Sequence, residues 1–449
     1  MLRGWKWGIA LLFTVFLLSE GQAFGEIKTK WGTYFRLRHE LWYNNFDLAT
    51  KASTNDNRNF FRYKSSIWGQ VDFSDQISLY GKLTNEFRTY LYYFQSTSKK
   101  KGVRGDINEF FMDQLYVDLK KVADLPLDIR FGRQDLLGQY GESFLIGDGT
   151  PGDGSRSFYF NAIKMAYKID DNNSLDFLYI LDPRDDVFLP VLNEDKSPQN
   201  LNITKEQGFV LYWKNKNLIK NTYLEGYYIH KIEDDEYGVG PQGAKSRLNT
   251  YGAYARWTSD PWTVRGQLAL QEGDYGANDR TGIGAYVYVD RKFKNMLMPV
   301  ATVGYLYLSG DNPDTSKNEG FNPLFSRFPW ISDLYGFTIA KSGDQTGALC
   351  YWSNLSMLRA QLRIKPTSKS MLTSSYSLLM APELVPVASR TDPFDSGKTR
   401  GQLYITKFDY TFNKNVSAYI QMEYFIPGSF YESNQDTALF LRTQLEMKF

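Results

Sequence analysis

The stretch Leu439-Phe440-Leu441-Arg442-Thr443-Gln444-Leu445-Glu446-Met447-Lys448-Phe449 sorts its side chains with a period of two. Leu439, Leu441, Thr443, Leu445, Met447 and Phe449 point one way, and Phe440, Arg442, Gln444, Glu446 and Lys448 point the other. A helix, with a period of 3.6, scatters such residues round its axis, whereas a strand gives each set its own face. One face is apolar enough for hydrocarbon and the other is charged enough for water. That division is expected of a strand in a membrane barrel.

The same pattern fills the chain upstream. Trp31, Thr33, Phe35, Leu37, Leu41 and Tyr43 alternate with Arg36, Arg38, Glu40 and Trp42, and Phe61, Tyr63, Ile67, Val71 and Phe73 alternate with Arg62, Lys64, Ser66, Gln70 and Asp72. Strands are expected near residues 31–43, 61–73, 77–88, 108–119, 126–134, 157–169, 174–182, 205–214 and 220–232. Others follow near 247–258, 262–273, 281–292, 297–309, 351–365, 370–381, 399–412, 416–426 and 437–449. Short turns such as Ser74 to Gln76, Asp170 to Asn173, Ser259 to Pro261, Pro366 to Ser368 and Asn413 to Asn415 alternate with long polar segments. The long ones begin near residues 44, 92, 135, 183, 233, 274, 310, 382 and 427. This rhythm predicts an all-β, up-and-down antiparallel transmembrane barrel of about 18 strands, with long extracellular loops and short periplasmic turns.

Composition agrees with a barrel and excludes several alternatives. Aromatic residues make up 16% of the 449, with 32 Tyr and 31 Phe, an excess suited to strands and interfacial girdles. Apart from Trp7 to Leu18 no long apolar run occurs, so a bundle of membrane helices is ruled out. Lys and Arg total 52 against 50 Asp and Glu, which gives no bulk charge for holding nucleic acid. Cys350 is the only cysteine and forms no internal disulfide, and no Cys/His cluster suggests a metal.

Arg3 and Lys6, the apolar run Trp7 to Leu18, and Gly21-Gln22-Ala23 have the form of a cleaved signal peptide over residues 1–23. Residues 24–449 then form the barrel, destined for the bacterial outer membrane with its lipids and lipopolysaccharide. A strand ending on Phe449 resembles the carboxy-terminal signal read by the barrel-assembly machinery.

Several motifs resemble those of the alginate export family of outer-membrane barrels. Gln114-Leu115-Tyr116-Val117-Asp118 followed by Arg130-Phe131-Gly132-Arg133-Gln134 is similar to that family's paired strands with an F-G-R-Q signature. Tyr305-Leu306-Tyr307-Leu308-Ser309-Gly310-Asp311, then Phe321-Asn322-Pro323-Leu324-Phe325, resembles its strand ending in S-G-D and the aromatic loop beyond. Phe425-Ile426-Pro427-Gly428 resembles its F-x-P-G turn. The resemblance implies an eighteen-stranded barrel with an electropositive lumen for an anionic polysaccharide. Departures occur where the family carries R-x-R, at Tyr419 and Gln421, and at Gly401-Gln402-Leu403-Tyr404 in place of G-Q-E-L.

Alternation turns a basic set toward the lumen: Arg36, Arg38, Arg62, Lys64, Lys82, Arg88, Arg130, Arg256, Arg265, Arg359, Arg363 and Arg442. An arginine facing lipid near the midplane costs about 2 to 4 kcal/mol, so energetics support the same assignment. Such guanidinium groups bind carboxylates by paired charge-assisted hydrogen bonds. Arg133 breaks parity after Phe131, so it either caps its strand or follows a bulge at Gly132. Glu40, Asp72, Glu86, Asp118, Asp128, Asp176, Glu225, Glu423 and Glu446 share the inward face. Two lumens are therefore open, an anion-selective one with arginine ligands and a mixed, near-neutral one braced by ion-pair ladders.

The loop Gly147 to Gly154 offers Asp148 and Asp153 to calcium, but its spacing does not match the calcium loop and plain turns share its composition. Lys99-Lys100-Lys101 with Arg104 forms a basic external loop, either solvated or in contact with lipopolysaccharide phosphate. His39 and His230, the only histidines, fall on the lipid-facing side, so no lumenal nucleophile has a base, and an enzyme is not expected. The expected function is passive passage of anionic solutes, an anionic saccharide or polysaccharide among them. A general diffusion porin and a structural sleeve round a partner protein are the alternatives. The loop from Asp311 to Cys350 is long enough to fold inward as a constriction or plug.

Overall fold

The computed structural model describes residues 26–449 except 46–47, 49–56, 96–97, 105–109, 148–159, 191, 193–197, 199–200, 202–203, 235–244, 327–330, 335–352, 385–393 and 434. Residues 1–23, Cys350, Asp148 and Asp153 lie outside the described residues, as do the side chains of Lys99, Lys100, Lys101 and Arg104.

Eighteen wall strands follow one another: Lys28–Tyr43 (β1), Arg58–Asp72 (β2), Ile77–Gln95 (β3), Phe111–Leu119 (β4), Leu127–Gln134 (β5), Phe160–Lys168 (β6), Asn173–Asp182 (β7), Lys205–Asn215 (β8) and Thr222–Asp234 (β9). Then come Lys245–Ser259 (β10), Trp262–Tyr275 (β11), Asn278–Lys292 (β12), Val300–Leu308 (β13), Leu355–Thr367 (β14), Ser370–Met380 (β15), Thr399–Thr411 (β16), Val416–Pro427 (β17) and Ala438–Lys448 (β18). Each pairs antiparallel with its neighbours, and β18 pairs back onto β1 from Tyr34↔Lys448 to Tyr43↔Leu439, so the sheet closes. A short strand, Ser98–Arg104, extends β3 beyond the wall.

Each expected strand has its counterpart, and the outward face is predominantly apolar. Trp31, Ile67, Leu268, Ile283, Val303, Leu358 and Ile420 are exposed there. In a soluble protein this surface would drive aggregation, whereas in hydrocarbon it is matched to its solvent. His39 and His230 stay on this face, hydrogen-bonded to Asn59 and Asn249 respectively.

The turns on one end are tight. At Asp170 the side chain accepts hydrogen bonds from the backbone N–H of Asn172 and Asn173 at 2.7 and 2.8 Å. The Asn173 side-chain amide, together with these backbone donors, holds the Asp170 carboxyl below its ordinary pKa. At the other end one expectation fails. The connection near residue 274, expected to be long, is a tight hairpin in which Gly276 (φ 61°) joins β11 to β12. Beyond Leu270 and Ile283 the outward positions Glu272, Asp274, Asp279 and Thr281 are polar, and the inward Gln271 and Arg280 are polar but buried, so Gln271 to Arg280 reads as a polar loop while still pairing as strand.

If the outward face meets hydrocarbon, Val303→Arg, near the middle of β13, should destabilise the barrel by about 2 to 4 kcal/mol. Denaturant unfolding in lipid vesicles measures this. Thr302→Arg, one residue along on the inner face, should cost clearly less.

Candidate binding site in the lumen

The inner wall carries charge on β1 to β3. Glu86, 2% exposed, sits among three cations: Arg36 Nη2 at 3.3 Å, Lys64 Nζ at 3.6 Å and the Arg62 guanidinium, which hydrogen-bonds it directly. Desolvating three cations is tolerable only round such a carboxylate. Lys82 pairs similarly with Asp113 at 2.9 Å. Arg130 forks onto Asp118 at 2.7 and 2.8 Å and stacks 3.9 Å from the Tyr116 ring. Arg265 bridges Glu142 and Asp290. Arg88 donates to the Tyr90 hydroxyl at 3.1 Å. Arg256, opposite Arg265 in register, and Arg363 are exposed on the inward side near the turn end.

Arg133 stands apart. Pairing runs unbroken through Phe131, Gly132 and Arg133, so there is no bulge, and Arg133 keeps the outward register beside Leu115 and Asn161. It is 3% exposed, forks onto Asp186 of the loop after β7 at 2.5 and 3.0 Å, and donates to the Met112 carbonyl at 3.0 Å. It ties that loop to the end of its strand, and its geometry points away from the lumen.

Two loops fill the extracellular half of the interior. Residues 320–326 and 331–334 turn inward, as the length of the segment after Asp311 suggested, and so do residues 135–147, which carry no local sequence mark. They join where Phe325 and Ser326 pair in parallel with Ile146 and Gly147. Phe144 and Phe321 stack with centroids 5.5 Å apart, and Leu324, Phe325, Ile331 and Leu334 are buried. Gly284 makes room for this, since a Cβ there would fall 2.2 Å from the Phe321 ring. The wall receives the loops with polar groups. Tyr140 donates to Asp176 at 2.9 Å, the Gly141 N–H to Glu225 at 2.8 Å, and Lys231 to the Leu324 carbonyl at 2.7 Å.

Beneath residues 331–334 a cavity of about 470 Å³ remains, lined by Arg36, Arg38, Arg359, Lys407, Tyr419 and Arg442 among others. Its rim is the inward loop. The Ser332 hydroxyl and the Asp333 and Leu334 N–H groups donate to Glu423, while Arg442 spans Glu40 at 2.8 Å and Asp333 at 2.9 Å. Arg359 is held differently, donating at 2.9 Å to the Ser377 hydroxyl and at 2.9 Å to the Ile331 carbonyl. Among the described residues no carboxylate lies within ion-pair distance of it. Among the described residues no group of His, Cys, Asp and Glu is arranged to hold a metal.

The sequence model of the alginate export family matches residues 29–442. This chain belongs to the alginate export family. It is an outer-membrane β-barrel of the porin type. Solved barrels share the fold at low identity. Pseudomonas aeruginosa OccK9 (OpdG) aligns with a TM-score of 0.60 and 10% identity over 95% of this chain and 100% of its own. OccK2 (OpdF) of the same organism, in complex with glucuronate, gives 0.53 and 9% over 95% and 99%. Its OpdK, with vanillate, gives 0.56 and 10% over 94% and 98%. No curated protein matches the chain in sequence.

Within this family member, the positions that depart from R-x-R line the cavity. Tyr419 donates to Gln444 at 3.2 Å, and Gln421 bridges Asp333 and Glu423 at 3.0 and 2.6 Å. Lys407, 4.3 Å from the Tyr419 ring, is a cavity cation that the sequence reading passed over. The alternation of β16 carries it, on the same side as Leu403 and Ile405.

Removing the ring that locks the two loops, by Phe321→Ala, should forfeit about 3 to 5 kcal/mol of packing and free both segments. Single-channel recording should then show conductance raised by about twofold or more. An unchanged, quiet current would mean that these loops do not limit flow.

Proposed function

We propose that this barrel is a passive channel for carboxylate-bearing solutes, an anionic saccharide being the class that best fits. The observation that carries this is Arg359 facing the cavity with only neutral partners, beside Arg36 and Arg38. A guanidinium without its own carboxylate keeps its charge and its donor fork for a ligand. Arg38 adds to this, since its Nε hydrogen-bonds the neutral Gln444 and its nearest carboxylate, Glu40, is 3.8 Å away. The cavity has the size of a small-ligand pocket, enough for a sugar ring. The solved relatives with glucuronate and vanillate hold carboxylates in the same fold, which is consistent with the proposal.

Anions cross such a pore by hopping between weak sites, without energy coupling. The paired groups Arg62, Lys64, Arg130, Arg265 and Arg442 brace the wall and contribute field. Arg36, Arg38 and Arg359 supply the ligand contacts.

Planar bilayers test the proposal by reversal potential and current block with polyuronate, neutral oligosaccharide and phosphate. Anion preference and polyuronate block are expected. Arg359→Gln, or Arg36→Gln with Arg38→Gln, should weaken the block about tenfold or more, the factor carried by one charge-assisted hydrogen bond. Cation preference with no polyuronate block would overturn the assignment, and equal passage of neutral sugar would make the barrel a general diffusion porin.

A further inference from the structure

One concavity of the outer wall lies between β3 and β7. There a groove of about 580 Å³ opens on the lipid-facing side, its lining almost wholly apolar. Its floor is one hydrogen-bonded row, Leu79↔Val117↔Phe131↔Ile163↔Tyr179, that crosses five strands on the outward register. Its roof is Phe188 and Leu189, from the loop after β7.

This wall is also the short one. Strands β4 to β7 have 9, 8, 9 and 10 residues, against 15, 14 and 15 for β10 to β12. A tilted strand needs about 9 to 11 residues to cross hydrocarbon, so here the wall barely spans it. The extracellular loop after β7 therefore lies at the outer edge of the apolar layer. Asp186 on Arg133 holds it against the barrel's outside, and Phe110 bridges Leu192 beside it. Val187, Leu192 and Phe110 stay exposed as an apolar rim.

We propose that this groove seats an acyl chain of the phosphorylated glycolipid that forms the outer leaflet. The groove is continuous with the membrane-facing belt, so its surroundings are hydrocarbon and an empty concavity would forfeit contacts on every side. The roof hangs from the extracellular side, which selects the outer leaflet. Further up β3, on the extracellular side, the strand Ser98–Arg104 pairs Lys100 with Tyr93 and Lys99 with Phe94, so the sequence places a basic run, suited in sign to lipid phosphate, on the same side as the roof. Burying the Arg133–Asp186 pair on the outer face fits the same role, because it fixes the roof that makes a flat wall into a groove.

The test is native mass spectrometry of the whole barrel extracted from outer membranes in mild detergent, with folding checked by heat-modifiable gel mobility. The expected result is about one glycolipid retained per barrel, falling about tenfold when the groove is filled by Ile163→Trp or Leu115→Trp. Val303→Trp, on the far outer wall, should leave retention unchanged. Asp186→Asn should lower retention by unlatching the roof, while polyuronate block in bilayers persists. Equal glycolipid retention in the filled variants and the native barrel would overturn the proposal. So would retention of phospholipid alone, or a dimer of the barrel that the filling substitutions abolish, since a second copy would then occupy the groove.

Discussion

Hydrocarbon offers no hydrogen bonds, so every backbone N–H and C=O at membrane depth needs a partner within the sheet. The seam between β1 and β18 is where that requirement is met or lost. Beyond the registered pairs from Tyr34↔Lys448 to Tyr43↔Leu439, Phe449 and Thr33 exchange backbone hydrogen bonds at 2.8 and 2.9 Å. The carboxy-terminal aromatic is thus inside the ladder. Gly32 belongs to the same arrangement, because a Cβ there would fall 2.4 Å from the Phe449 carbonyl. Closure through antiparallel neighbours with both ends on the turn side also forces an even strand number.

Closing eighteen strands makes a lumen wider than side chains can fill. The extracellular half answers with inserted chain. Leu178, Ile180, Val210, Ile229, Leu306, Leu308 and Leu355 are apolar on the inward face and packed by the two loops, so this half resembles a soluble core. The turn-side half keeps water and charge. The boundary lies at residues 331–334, where loop backbone meets Glu423, Arg359 and Arg442. Polar anchoring at that level places the loop end as a rim over a cavity, since charged wall groups must find partners before apolar packing can continue downward.

The strands were legible in the sequence because lipid imposes a period of two that nothing else in the chain imitates. Legibility stopped where lipid does. The β11–β12 hairpin at Gly276 reads as a long loop because its upper strands are polar on both faces, Glu272 and Asp274 outward and the buried Gln271 and Arg280 inward. The inward turn of residues 135–147 had no local signal. Tyr140, Gly141 and Glu142 find Asp176, Glu225 and Arg265 on strands that are distant in sequence, and only the closed barrel brings them near. Parity gave each arginine a face but neither its height nor its partner. That is why Arg359 and Arg62 look alike in sequence and differ in the structure, and why Arg133, read as strand end or bulge, needed Asp186 to explain it.

A wall cannot be both rich in arginine and free of carboxylates, because buried cations at this density repel one another and lose hydration. Each carboxylate that makes the wall stable also cancels the charge a ligand would feel. Glu86 shows this: it is shared among Arg36, Arg62 and Lys64, which leaves the group net positive, and Arg36 still reaches the cavity. Arg359 shows the other solution, stabilised by a hydroxyl and a backbone carbonyl that use its donors without spending its charge. The neutral Tyr419 and Gln421 fit this logic. With Asp333 and Glu423 already drawn in to hold the loop, arginines at those two positions would be consumed by the rim, and Lys407 on β16 is paired with Asp409 at 2.7 Å, so the charge available to a ligand has to come from β1 and β14 instead.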